Sequence, residues 1–433
     1  MTPFHQAREA WEAASDLRTT RSVLKQYAYG RQWDALRRSV AHGLAAPSKF
    51  EEAHLRNSRP PITSNLIRSL IKTVVGRFRL GLSEERRDEA PSASELRIRR
   101  ANRLDELDAR ALEEFLISGC AIQRVTLERR FDGTEVWVDN VNPSRFFCNR
   151  FMDPRGSDIR LIGMLHDMSL AEMCLRFGHG SRRRHRDLGA IFSRGRGGVH
   201  QGSVARLASE AAETDFATPS DPSLCRIVEV WTLEIDKRKG PVWVCRYYSP
   251  EGELIDTTPS PFAHRSHPFV VTLYPLTDGE VHPFIEDVID RQRHINMLIS
   301  NMDQILAHSA KGVLLFPTDA LPEGTDMRLA TDLWGNPGGV IPINPNASRL
   351  PSEVAPAGHT QAPAQLLELD LRLFQQISGV SGALLGQASS GYTTSTLYQA
   401  QADNAVIALR DIFDTFASFR EARTAKALAI TRN

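Results

Sequence analysis

Residues 283–308, PFIEDVIDRQRHINMLISNMDQILAH, decide how the chain is read. Ile285, Val288, Ile289, Gln292, Ile295, Ile299, Met302, Ile305 and Leu306 recur at spacings of three and four, which places them on one side of an α-helix. Arg291, His294, Ser300, Gln304 and His308 fall on the other face. About 25 helical residues span roughly 37 Å, and a lone helix of that length needs partners along its whole stripe. A second helix is predicted over residues 363–378, PAQLLELDLRLFQQIS, with Leu366, Leu367, Leu369, Leu373, Phe374 and Ile377 on its apolar side. Pro363 suits its first turn and Gly379 its C-terminal cap. The two helices read as a hairpin. Between them, residues 312–345 hold Val313-Leu314-Leu315-Phe316, Pro317, Pro322, Gly324 and Asn336-Pro337-Gly338-Gly339. This insert is too short for a core of its own, so its strand edges call for a neighbour. A polar Gly/Ser/Thr loop follows the hairpin, and a last helix is predicted from Ser395 with Leu397, Ile407, Leu409, Ile412, Phe413, Phe416 and Phe419. A core helix of one globular domain has the same periodicity, so the pattern alone leaves both readings open.

Working outward, residues 4–45 read as two helices with inward stripes of Trp11, Leu17, Leu24, Tyr27 and Trp33, Leu36, Val40, broken near Gly30. Arg59-Pro60-Pro61 stops that section, and Ser64 or Asn65 is placed to cap a helix from Leu66 that ends at Gly76. Another helix is predicted over 95–118, closed by Gly119. The period then changes to two. Residues 121–131 and 134–141 flank Asp132-Gly133, a strong β-hairpin signal. Phe146 and Phe147, 159–167, 226–235, 242–249 and 267–273 read as further strands of the same sheet, with a short Ser-capped helix at 169–177. Residues 178–222 carry GHGSRRRHRD and SRGRGG and read as an exposed, flexible Arg-rich insertion, a solvated charge run before it is a binding site. The fold class is α+β, with a mostly antiparallel sheet.

The composition excludes several function classes. The chain has 433 residues, with 53 Lys+Arg against 52 Asp+Glu, so it lacks the strong positive charge of a general nucleic-acid binder. Cys120, Cys148, Cys174, Cys225 and Cys245 are scattered and lack CxxC spacing, which argues against a disulfide framework or a zinc site and for a reducing interior. The N-terminus carries acids and is no signal peptide, and no apolar run approaches the roughly 18 residues of a membrane span. His185-Arg186-Asp187-Leu188 copies a kinase catalytic-loop tetrapeptide, but Phe192 stands where the metal-binding Asn is needed. There is no Walker motif or GxSxG elbow, and Gly195-Arg196-Gly197-Gly198 follows no strand. His264, His267 and His282 lack a supporting ligand set and read as strand-edge histidines. Glu286, Asp287 and Asp290 suit the positive end of a helix rather than an acid/base pair. No catalytic residue, cofactor site or metal site is predicted.

Several motifs in order resemble the portal proteins of short-tailed bacteriophages. Tyr29-Gly30-Arg31-Gln32-Trp33 and Arg59-Pro60-Pro61-Ile62-Thr63-Ser64-Asn65 match that family's opening section. Asp290, Gln292, Ile295, Asn296 and Ser300 match its first stem helix, and Ile377-Ser378-Gly379-Val380-Ser381-Gly382 the end of the second. Ser395-Thr396-Leu397-Tyr398-Gln399-Ala400-Gln401 with Asp403-Asn404 match the helix after its tunnel loop.

The resemblance implies a portal-like architecture: a helical and mixed antiparallel-sheet wing at 1–278, stem helices at 279–311 and 359–381, and a small α/β clip at 312–358. A tunnel loop at 382–394 and a long wing helix at 395–433 follow, with the crown short or absent. It implies stem packing by Ile295, Ile299, Met302, Leu366 and Leu373, and a channel lined by Gln387, Ser389, Ser390, Tyr392, Thr393 and Thr394. The expected partners are further copies in a ring of about twelve, double-stranded DNA in transit, the terminase large subunit, tail adaptors, and the major capsid and scaffolding proteins. No membrane is expected. The setting implied is the capsid vertex of a virion assembled in the host cytoplasm. Another oligomeric structural or scaffolding virion protein, or an enzyme with a dispersed site, remains the alternative.

Overall fold

The computed structural model describes residues 2–41, 62–88, 92–130, 133–153, 155–195, 215–219, 221, 223–236, 240–274, 279–309, 313–322, 326, 328, 342–344, 346–347, 349, 352–354, 361–380, 407 and 409–431. Two compact units divide the chain: residues 1–48, 65–290 and 375–433 form the first, and 49–64 with 291–374 the second. The described residues make a mixed α+β protein with antiparallel sheets.

The first unit opens with α1 (Pro3–Ala13), α2 (Ser15–Ala28) and α3 (Gln32–Ala41). Phe4, Ala7 and Trp11 share one face of α1 and are buried. Gly30, at φ +74°, turns the chain between α2 and α3. α4 (Leu66–Asp88) starts on Asn65, whose Oδ1 accepts from the Arg68 N–H (2.9 Å) and whose Nδ2 donates to the Ala28 carbonyl (3.0 Å). The sequence predicted a stop at Gly76, but the helix runs on. Ile67, Leu70, Ile71, Val74, Phe78 and Leu82 are buried along one continuous stripe, and that burial outweighs the roughly 1 kcal/mol cost of an interior glycine.

The single helix expected over 95–118 is two, α5 (Ala93–Asn102) and α6 (Leu104–Ser118), because Arg103 adopts a left-handed conformation at φ 51°. Asn102 pins the break: it donates to the carbonyls of Ile98 and Val136 and accepts from the Val138 N–H. Gly119, at φ +70°, ends α6 as predicted.

The described strands of the first unit form two sheets rather than one. β1 (Cys120–Arg130) and β2 (Gly133–Asn140) make the predicted antiparallel hairpin, with Arg130 opposite Gly133. β3 (Phe146–Cys148) pairs instead with β4 (Leu161–Met168). After β4 come α7 (Leu170–Phe177), whose Ser169–Glu172 capping box matches the expected Ser cap, and α8 (Arg182–Gly195). β5 (Cys225–Asp236), β6 (Gly240–Tyr248) and β7 (Leu254–Pro259) complete a sheet of order β3-β4-β5-β6-β7. β8 (Phe269–Leu273) leaves that sheet and pairs with β1, giving the order β2-β1-β8. Gly163 lets β4 approach β5: a Cβ there would lie 2.1 Å from the Glu229 carbonyl oxygen and 2.5 Å from the Phe147 ring.

α8 corrects the expectation of a flexible insertion over 178–222 in its first part. Leu188 and Ile191 are buried in the same core cluster as Phe177, Cys225 and Tyr247, so the Arg run is one face of an anchored helix. Residues 196–214 lie outside the described residues.

α9 (Glu286–Ser309) follows, then β9 (Val313–Leu315) and β10 (Ser352–Val354), which pair with each other within the second unit. The strand edges expected to await a neighbour are therefore partly met by the chain itself. α10 (Gln361–Ser378) ends at Gly379, φ +66°, as predicted. α11 (Arg410–Thr431) packs on β1 and β8. Phe416 sits at its centre, with ring centroids 5.3 Å from Phe78 and 6.1 Å from Phe115. Residues 395–406, the expected start of this helix, lie outside the described residues.

Candidate functional site

The densest polar cluster surrounds Glu229 on β5, which has no solvent exposure. Arg124 Nη2 on β1 donates to both its oxygens (3.0 and 3.2 Å), His166 on β4 lies 2.6 Å from Oε2, and Trp231 Nε1 donates to Oε1 (2.7 Å). Arg176 on α7 stands 3.8 Å away and donates to the Tyr247 hydroxyl (2.7 Å). Burial alone would raise the Glu229 carboxyl, but Arg124, His166 and Arg176 outweigh it and hold it below the usual carboxylate range. Burial pushes His166 down. The enclosed carboxylate is favoured in its ionised form and has both oxygens engaged by protein groups. It joins the two sheets and α7.

Two further buried ion pairs do similar work. Arg226 on β5 donates to both Asp167 oxygens (2.6 and 3.2 Å), and Arg145 reaches the same carboxylate at 2.8 Å. Arg423 on α11 pairs with Asp108 on α6, and Lys426 Nζ donates to the carbonyls of His267 (2.8 Å) and Phe269 (2.7 Å). Desolvation pushes Lys426 down to about 7.

Several of the other candidate residues are buried or hydrogen-bonded within the fold. Burial raises the thiols of Cys120 and Cys148 to about 12 and Cys225 to about 11, which favours the protonated thiol over the nucleophilic thiolate. His264 Nδ1 accepts from the Ser266 N–H (3.0 Å), His267 Nδ1 from the Phe269 N–H (3.3 Å), and His282 pairs with Asp287 (2.9 Å). Among the described residues no group of three His, Cys, Asp or Glu is placed to hold a metal.

The helical hairpin carries the other cluster, in the second unit. Asp370 on α10 is 1% exposed and accepts from Arg291 (3.1 Å) and His294 (2.5 Å), both on α9. On α9, Gln292, Asn296 and Ser300 form a buried polar ridge beside the apolar stripe, although Ser300 was expected on the outer face. Gln292 Nε2 donates to the Ser64 carbonyl (2.6 Å), and Asn296 Oδ1 accepts from the Ser64 N–H (2.7 Å). Two side chains four apart thus clamp both backbone groups of one residue, and the sequence motifs around Ser64 and Gln292 meet here.

Of the predicted stem residues, Ile295 is 1% exposed, Ile299, Met302 and Leu373 are half-buried, and Leu366 is 40% exposed. Leu306, expected within the stripe, is also exposed. The predicted channel residues Gln387, Ser389, Ser390, Tyr392, Thr393 and Thr394 lie outside the described residues. Sequence reasoning missed Asp370, although a carboxylate four after Leu366 and three before Leu373 is a polar group inside an apolar stripe. Glu229 gave no such signal, because its partners come from β1, β4 and α7.

No curated protein matches the chain. The family model described as phage P22-like portal protein matches residues 5–433. It spans both units, the clamped Ser64 and the hairpin, and the chain belongs to the phage P22-like portal protein family.

Proposed function

We propose that about twelve copies of the chain close into a ring at one capsid vertex, through which double-stranded DNA is packaged and later ejected. In this reading residues 1–278 are the wing, 279–311 and 359–381 the stem, 312–358 the clip and 382–394 the tunnel loop. Residues 395–433 return to the wing. The terminase large subunit and tail adaptors dock at the clip, and capsid and scaffolding proteins surround the ring, which is assembled in the host cytoplasm. The subunit guides DNA and breaks no bonds.

One observation supports the ring above others. α10 leaves Leu366 (40%), Leu369 (50%) and Ile377 (46%) exposed, and with half-buried Leu373 they form one stripe of the helix. Burying such side chains is worth about 1.5–3 kcal/mol each. A neighbouring copy covers the stripe, and a head-to-tail contact repeated by rotation closes into a ring. Replacing Leu366 and Leu369 together with Glu is expected to leave a folded subunit that elutes as a monomer, since neither side chain supports the subunit's own core. Rings of normal size from that variant would sink the assignment of this face.

The clip makes a second test. Deleting residues 317–340 is expected to leave rings and capsids intact while abolishing DNA packaging and tail attachment. Normal infectious particles would refute the docking role.

A further inference from the structure

Resting on the portal reading, which brings packaged DNA near the subunit, we propose that the outer face of α8 binds the DNA phosphate backbone. α8 has two sides. Leu188 and Ile191 anchor it in the core, and Arg184 on the same side donates to the Ile255 carbonyl (2.9 Å) and lies 3.6 Å from Asp256. The opposite side presents Arg182, Arg183, Arg186, Ala190 and Ser193, all exposed.

Among the described residues, two nearby carboxylates are already engaged. Asp256 faces Arg184 and His179, and Glu253 accepts from Arg194 (2.8 Å). Arg182, Arg183 and Arg186 have no ion-pair partner among the described residues, and the helix's one acid, Asp187, makes no ion pair with them. These three cations sit in the first turns of α8, where the helix dipole disfavours positive charge. Pairing among the described residues does not account for them there, and an external anion would.

The geometry suits a polyanion with a regular backbone. Arg182 and Arg186 are one turn apart, about 6 Å along the axis, and Arg183 flanks them. Ala190 and Ser193 continue the face with small side chains that let a strand approach. Guanidinium groups match phosphate oxygens in pairs. The chain's net charge of +1 adds no broad attraction, so contact stays local.

The test uses the full-length assembled protein and a duplex of about 30 base pairs, with binding followed across a salt series. Arg182→Gln, Arg183→Gln and Arg186→Gln together are expected to weaken binding at low salt by at least tenfold and to flatten the log–log salt slope by about 2–3 for one bound subunit. The thermal midpoint should stay unchanged or rise, because the substitutions relieve repulsion at the helix start; a fall would mark a structural role instead. Unchanged DNA affinity in the triple variant overturns the proposal, as does displacement of DNA by polyglutamate at far lower charge concentration, which would identify an acidic protein partner. Ring formation is scored separately by electron microscopy, so rings that ignore DNA sink this inference alone, whereas absence of rings sinks the portal reading.

Discussion

Glu229→Ala is expected to lower the stability of the first unit by about 3–5 kcal/mol, the cost of leaving buried charges without their partner. The substitution strips Arg124, His166 and the Trp231 N–H of one shared acceptor, and the Arg124 side chain is only 13% exposed. Water cannot readily replace the carboxylate at a junction of two sheets. The thermal midpoint should fall by on the order of 5–10 °C. The pH dependence adds a second check. Glu229 titrates lower in the folded chain than in the unfolded one, so its contribution is present above the unfolded carboxyl value, about 4.3, and is lost as pH falls through the folded value. His166 is also depressed, so the unfolded chain takes up a proton first as pH falls below about 6.5, which again destabilises the fold. Wild-type stability should therefore decline first below about pH 6.5, through His166, and again below about pH 4.3, through Glu229, and the variant should lack the second decline. A midpoint within error of wild type at pH 7 would show that the cluster contributes little.

The second large effect concerns DNA passage. Ser389→Lys with Ser390→Lys would add about two dozen positive charges to a ring of about twelve, facing the DNA if residues 382–394 line the channel. The wild-type loop offers Gln387, Ser389, Ser390, Tyr392, Thr393 and Thr394, which carry no charge and, in the channel wall, would touch phosphates and release them. Lysines would hold the duplex by releasing its counterions. Packaging or ejection should stall at low salt and recover as salt rises, because screening shortens the reach of each charge. Particles that package and eject like wild type at low salt would remove this loop from the channel wall.

Local signals in the sequence carried well into the structure. The Asp132-Gly133 hairpin, the Ser169 cap, the stops at Gly119 and Gly379 and the two long helices each rest on a few adjacent residues, and each is present. Features set by distant partners were not legible. β8 follows the five-stranded sheet in sequence yet pairs with β1, more than a hundred residues earlier. α4 passes through Gly76 because its stripe is buried on both sides of that glycine. The Arg run at 182–186 masked a helix because its charge obscured Leu188 and Ile191, whose partners lie on β5, β6 and α7. Asp370 was readable as a break in an apolar stripe, whereas its partners Arg291 and His294 had been placed on an outer face.

The portal reading requires this subunit to build a closed ring around a channel. Electron microscopy of the purified wild-type protein, paired with native mass measurement, tests it most directly. Rings with a central hole and a mass near twelve times the 48.3 kDa of one chain, or of a neighbouring ring size, are expected. A protein that remains monomeric, or that forms open filaments without a hole, at all assembly concentrations would contradict it.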